Sequence, residues 1–193
     1  MPEIIAPDIR DDDLSAYVNE YEHDAEGKTI PTAAQGWRMT ARCALARQQR
    51  WVEETKQYPP MEHLPAQYDA AITRTSVILC FGLGVTYDQL LRFVNKHNIR
   101  APSAPDQPIT RPVVAFFMIA KHLATKVRGL RLFYRRPRSL QYDMVLALYS
   151  NHSFRKYQYR PESEKRIIEI MKEELEIDST PMWYWDMDRD TLF

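Results

Sequence analysis

The run Val77-Ile78-Leu79-Cys80-Phe81 constrains this chain more than any other feature. Five consecutive apolar side chains leave no polar face to turn toward water, so the segment belongs at the centre of a core. Read with the residues before it, the run predicts the end of a helix from Pro65 to Phe81, broken by Gly82 and Gly84. The chain has the means to build such a core. Its 193 residues are 45% hydrophobic and 27% charged, and a domain of this size buries roughly 70% of the surface its unfolded chain exposes. That composition excludes disorder throughout, collagen and low-complexity fibres. The two cysteines, Cys43 and Cys80, are too few for a disulfide framework or a four-thiolate zinc site.

Elsewhere the apolar spacing is helical. After Asp11-Asp12-Asp13, favourable at a helix N-terminus, Leu14, Tyr17, Val18 and Tyr21 follow the i, i+3, i+4, i+7 template over residues 11–26, and Gly27 stops the pattern. A second helix is predicted from about Ala33 to Gln57, with Trp37, Ala41, Ala44, Leu45, Trp51 and Val52 on one face and Pro59-Pro60 ending it. Thr86-Tyr87-Asp88-Gln89 reads as a capping box for a helix to about His97. Pro112 and Gly129 bracket another. Leu130 to Arg135 reads as a short extended piece. Ser139 would cap a sixth helix through Tyr149, and a seventh is predicted over about Glu162–Glu176. Residues 99–112, with Pro102, Pro105, Pro108 and Pro112, form the internal loop. The expectation is a mostly α fold: one domain over residues 1–193, about seven helices in an irregular bundle. Trp37, Trp51, Phe81, Phe93, Phe116, Phe117 and Leu146 are expected inside.

The formal charge is zero, yet charge is unevenly spread. Residues 1–35 carry a balance of −7, residues 101–160 carry +9, and residues 161–193 carry −6. Such asymmetry points either to an anionic partner for the middle or to ends that fold back on it. Between Lys121 and Arg138 there are seven basic side chains and no acid. The candidate binding residues there are Lys126, Arg128, Arg131, Arg135, Arg136 and Arg138. A second cluster, Arg155, Lys156, Tyr157 and Tyr159, interleaves cations with rings, a pattern suited to phosphates and unpaired bases. The competing account has these cations bridging to the chain's own acidic ends, and a pI near 7 favours it. Residues 78–97 also fit a loose helix-turn-helix frame, presenting Gln89, Arg92, Asn95 and Lys96 to base edges. In the acidic aromatic segment 178–193, Trp183 and Trp185 either anchor a partner or plug the core, with Asp186, Asp188 and Asp190 near the basic middle.

Signals for catalysis are weak. Glu20-x-x-His23 has the spacing of two ligands on one helix face but occurs once. His122 sits in an apolar helix, Cys80 in the most apolar run, and Cys43 beside Arg42. The five glycines form no phosphate-cradling loop. Asn151-His152-Ser153 matches the glycosylation pattern, but the opening residues show no secretory signal. No catalytic, cofactor or metal residue is assigned. The apolar runs are shorter than the ~20 residues of a spanning helix, so the expected setting is intracellular, cytoplasmic or nuclear, away from a membrane. The function expected is a non-enzymatic interaction module, using its basic middle or aromatic C-terminal segment on a protein partner or a second copy of itself. A nucleic-acid-binding regulator is the alternative, and a small helical enzyme with scattered site residues is the third reading.

Overall fold

The computed structural model describes residues 20–32 and 36–187. Five helices and a four-stranded antiparallel sheet are present among them, so the mostly α expectation of seven helices is overturned. The chain divides into two compact units, Met1–Gln57 and Tyr58–Phe193.

In the first unit, residues 21–32 and 36–39 pair through isolated bridges rather than forming a helix. Isolated bridges join Tyr21 to Met39, His23 to Thr29 and Pro31 to Trp37. The turn is set by Asp24, whose Oδ1 accepts from the N–H groups of Glu26 (3.1 Å) and Lys28 (2.8 Å). The expected helix over residues 11–26 is therefore absent from residue 20 onward, and its earlier part lies outside the described residues. Trp37 is 54% exposed, not a core residue. Helix α1 (Ala41–Lys56) starts only at Thr40, whose Oγ1 accepts from Cys43 N–H at 3.2 Å. Trp51 on it is only partly buried.

The second unit is built on the sheet. Its strands are β1 (Leu79–Val85), β2 (Phe133–Arg135), β3 (Met144–Ser150) and β4 (Met182–Trp185), in the spatial order β2-β3-β1-β4. Both central strands were expected to be helical. The apolar run that predicts a helix end is the start of β1, and the supposed sixth helix is β3. Every residue of β1 and all but the last of β3 is buried. A strand covered on both faces loses the alternation that would reveal it, and its short apolar run then looks like buried helix.

Gly82 and Gly84 lie inside β1 rather than ending it. A Cβ on Gly82 would run into the backbone carbonyl of Leu146 on β3, and one on Gly84 would run into the ring of Tyr142. These glycines allow the close approach of a neighbouring strand and an aromatic ring. Both fall in the turn and first half of the expected helix-turn-helix frame, so residues 78–97 form a strand followed by a helix instead.

One face of the sheet, carrying Leu79, Phe81, Leu83, Leu146 and Leu148, packs on helices α2 (Tyr87–Lys96), α3 (Pro112–Lys126) and α5 (Pro161–Leu175). Leu90 and Phe93, Phe116 and Ile119, and Ile167 and Met171 are their inward residues. Phe117, expected inside, is 60% exposed because it falls on the far side of α3 from Ile119. The opposite face carries Cys80, Val145, Ala147 and Tyr184. Helix α2 opens on the expected capping box: Thr86 Oγ1 accepts from Gln89 N–H, and the Gln89 side chain accepts from Thr86 N–H. Pro112 opens α3. Between α2 and α3, residues 99–111 hold no helix or strand. A short helix, α4 (Phe154–Tyr157), links β3 to α5.

Asn151 joins the sheet to the segment before it. Its Oδ1 accepts from Leu79 N–H at 2.9 Å, and its Nδ2 donates to the carbonyls of Tyr68 (2.7 Å) and Val77 (2.9 Å). At 2% exposure this amide is a structural clamp, not an accessible glycosylation acceptor.

Candidate functional site

The basic side chains of the middle divide into two groups. One group is consumed by the fold. Arg155 holds Asp69 in a fork, with Nη2 at 2.6 Å and Nε at 3.2 Å from Oδ2, and this guanidinium pulls the Asp69 carboxyl below its ordinary range. Arg135 Nη1 lies 3.4 Å from the buried Asp186. The Arg138 guanidinium lies 4.6 Å from the ring centre of Tyr58, and the Arg138 backbone N–H donates to Trp185 O at 2.8 Å. Arg136 keeps an exposed side chain, while its carbonyl accepts from Met187 N–H at 2.8 Å.

The aromatic segment is consumed in the same way. Trp183 is 6% exposed and clusters with Phe81, Tyr149 and Phe154. Trp185 meets Tyr58 and Tyr68 edge-on, and its Nε1 donates to Pro59 O at 3.3 Å. Residues 182–185 are paired to β1 as strand β4. Asp188 and Asp190 lie outside the described residues.

The other group remains on the surface and converges. Lys126, Arg128 and Tyr159 line an open cleft of about 390 Å³ together with Val127, Ser163, Arg166, Ile167 and Ile170. The cleft brings three cations and two hydroxyls together, with no carboxylate in its wall. Ser163, Arg166, Ile167 and Ile170 follow i, i+3, i+4 and i+7 along α5, which puts all four on one helix face. Lys126 is the last residue of α3, and Arg128 follows in the loop that turns at Gly129 (φ +80°). Tyr159 Oη accepts from Arg131 N–H at 3.4 Å, which leaves its own proton to donate. Beside the cleft, the Arg131 guanidinium and Lys156 Nζ lie 5.7 Å and 5.2 Å from the ring centre of Tyr157.

Partnering differs among the cations. Lys126 Nζ is 3.1 Å from Glu174 Oε1, while His122 Nε2 is 2.9 Å from Glu174 Oε2. These contacts, that with His122 foremost, hold the Glu174 carboxyl below its ordinary range. Among the described residues, neither Arg128 nor Arg166 has a carboxylate within ion-pair distance. Sequence reading identified Lys126, Arg128 and Tyr159 but missed Arg166. That residue lies in a segment whose balance is −6, and only the helix face separates it from its acidic neighbours.

A second hollow, of about 420 Å³, has Phe81, Tyr149, Phe154 and Trp183 in its lining, along with Glu62, His63, Asp69 and Glu164. Two of its carboxylates are already engaged. Asp69 is held by Arg155, and Glu164 accepts a hydrogen bond from the Tyr149 hydroxyl. Burial, then Glu164, raises the Tyr149 hydroxyl pKa well above its ordinary value, so it stays protonated. Burial likewise raises the Cys80 thiol far above its ordinary value, which removes its nucleophilic form. Among the described residues, no group of three or more His, Cys, Asp and Glu side chains could hold a metal ion, and no helix is long and apolar enough to cross a membrane. No family model, curated protein or solved structure matches the chain.

Proposed function

We propose that this chain is a non-enzymatic interaction module that docks an anionic partner on the face formed by the end of α3, the loop after it and the Ser163–Ile170 side of α5. One observation carries the reading. Arg128 and Arg166 border a shared cleft with Lys126, and no carboxylate lines it. Arg135 and Arg155, by contrast, are held by Asp186 and Asp69 within the fold. Guanidinium groups without an internal partner are suited to an external anion, because their planar donor fork matches carboxylate and phosphate geometry. An acidic segment of a protein partner is the class favoured. The module is placed inside the cell, cytoplasmic or nuclear, a setting that suits two free, buried thiols.

Single-stranded nucleic acid is the second reading, supported by the stacking of Arg131 and Lys156 against Tyr157 beside the cleft. A salt titration separates the two. The full chain is titrated with poly-glutamate and with a mixed-sequence DNA single strand at 50 to 200 mM NaCl, alongside the Arg128→Ala/Arg166→Ala variant. Tighter binding of poly-glutamate, lost in the variant, supports the protein reading. A single strand bound with a log–log salt slope near −0.7 per phosphate contact, reduced by about 1.4 in the variant, supports the nucleic-acid reading. Equal binding of either polymer by parent and variant rejects the cleft as the docking face.

A further inference from the structure

We propose that the cleft between the end of α3 and the Ser163–Ile170 side of α5 is a ligand site for a phosphate monoester carried on an apolar or aromatic group. The inference rests on the anionic-partner reading above and narrows it to one chemistry.

Charge is the first argument. Arg128 and Arg166 place two cations without a carboxylate partner around one cleft, Lys126 adds a third that shares Glu174, and no acid lines the cleft. A phosphate monoester carries about −1.5 to −2 at neutral pH and presents three strong acceptor oxygens, whereas a carboxylate or a diester carries about −1. A concentrated set of cations is better matched by a compact dianion than by dispersed single charges.

The donors point the same way. The Tyr159 hydroxyl already accepts from Arg131 N–H and retains a proton to donate, and the Ser163 hydroxyl belongs to the same lining. Lys126 is fixed by Glu174, but that carboxylate is shared with His122 and does not form part of the cleft lining. The lysine is therefore oriented without its anchor occupying the site.

The third argument concerns what carries the phosphate. Val127, Ile167 and Ile170 line the same cleft, and its volume of about 390 Å³ is room for a small organic molecule. An anion alone would leave the half-buried Val127 and Ile170 of that wall facing water. A ring or alkyl group attached to the phosphate covers it, so the site selects an organic ester over the inorganic ion.

The test uses the full ¹⁵N-labelled chain at low salt and near-neutral pH, titrated with phenyl phosphate, benzenesulfonate and inorganic phosphate. Phenyl phosphate should shift amides in 126–131 and 159–170. It should bind about tenfold more tightly than benzenesulfonate, the difference expected for one further charge-assisted contact, and more tightly than inorganic phosphate. Arg128→Ala and Arg166→Ala should each weaken it about tenfold, and both sites are exposed enough to leave folding unchanged. Two further ligands then distinguish the sources of the same chemistry. Preference for phosphotyrosine amide supports a phosphorylated protein side chain, and preference for adenosine monophosphate supports a nucleotide. Phenyl phosphate bound no better than benzenesulfonate, or equally well by the Arg166→Ala chain, overturns the proposal. If poly-glutamate binding still depends on Arg128 and Arg166 in that case, the phosphate inference fails alone. Loss of that dependence as well removes the docking reading beneath it.

Discussion

Asn151 concentrates more buried hydrogen bonding than any sequence motif suggested. One side-chain amide satisfies a β1 N–H and two carbonyls of the segment leading into the sheet. Replacing it with Leu keeps a similar volume and leaves the Leu79 N–H and the Tyr68 carbonyl without that partner, while the Val77 carbonyl keeps His152 Nε2 at 3.0 Å. Each unsatisfied buried group costs about 1–3 kcal/mol, so Asn151→Leu should destabilise the protein by about 3 kcal/mol or more. Urea unfolding monitored by tryptophan fluorescence would register this as a large fall in midpoint. A midpoint within experimental scatter of the parent would show that the clamp is dispensable. The signal in the sequence, Asn-x-Ser, pointed to an exposed acceptor, because a motif records residue order and not burial. Arg135, Arg138 and Arg155 carry the same lesson. Their positions in a basic stretch were legible, but their partners Asp186, Tyr58 and Asp69 lie 51, 80 and 86 residues away.

Elements were legible where their ends were marked and one face stayed wet. The α2 capping box, Pro112 at the start of α3 and the amphipathic stripe of α5 all placed helices close to where they lie. The central strands β1 and β3 were illegible because both their faces are covered, which erases the two-residue period. The candidate cleft was half legible for a related reason. Lys126 and Arg128 come from a loop end with an unbroken basic pattern, whereas Arg166 is revealed only by the helical spacing that aligns it with Ser163 and Ile170. Strand β4 offers the element-scale prediction. It pairs Leu79 with Trp185 and Gly82 with Met182 along β1, and Trp183 lies in the aromatic cluster. Truncating a core tryptophan costs about 3–5 kcal/mol, against a total stability of about 5–15 kcal/mol. Trp183→Ala should therefore survive with a sharply lowered melting temperature, and deletion of residues 181–193 should unfold the second unit. A deletion that melts within a degree or two of the full chain would separate β4 from the core.

At the scale of the whole molecule, the ion pairs and buried hydroxyls define the pH range over which the fold is secure. Three carboxylates have folded values below their ordinary ones: Glu174 through His122 and Lys126, Asp69 through Arg155, and Glu176 through Lys96. A depressed carboxyl stabilises the fold fully above its unfolded value, here 3.8 for Asp and 4.5 for Glu, and loses that contribution as pH falls through the lower folded value. The Arg155 side of the Asp69 pair and the Lys96–Glu176 pair are largely in water, so salt should shrink the acid effect. The opposite limb belongs to Tyr149, Tyr184 and Cys80, all raised chiefly by burial. Each of these folded sites keeps its proton while the unfolded chain releases its own, starting near 9.0 for Cys and 10.0 for Tyr. Stability should then fall by up to about 1.4 kcal/mol per group for every further pH unit. The expected melting profile is a plateau between about pH 5 and 9, a shallow salt-sensitive decline on the acid side and a steeper salt-insensitive one on the alkaline side. Tyr149→Phe tests the assignment, since it removes one titrating hydroxyl along with its bond to Glu164. That variant should melt lower at pH 7 and lose less of its stability between pH 9 and 11 than the parent. An alkaline limb of unchanged slope would move the origin of the decline away from Tyr149.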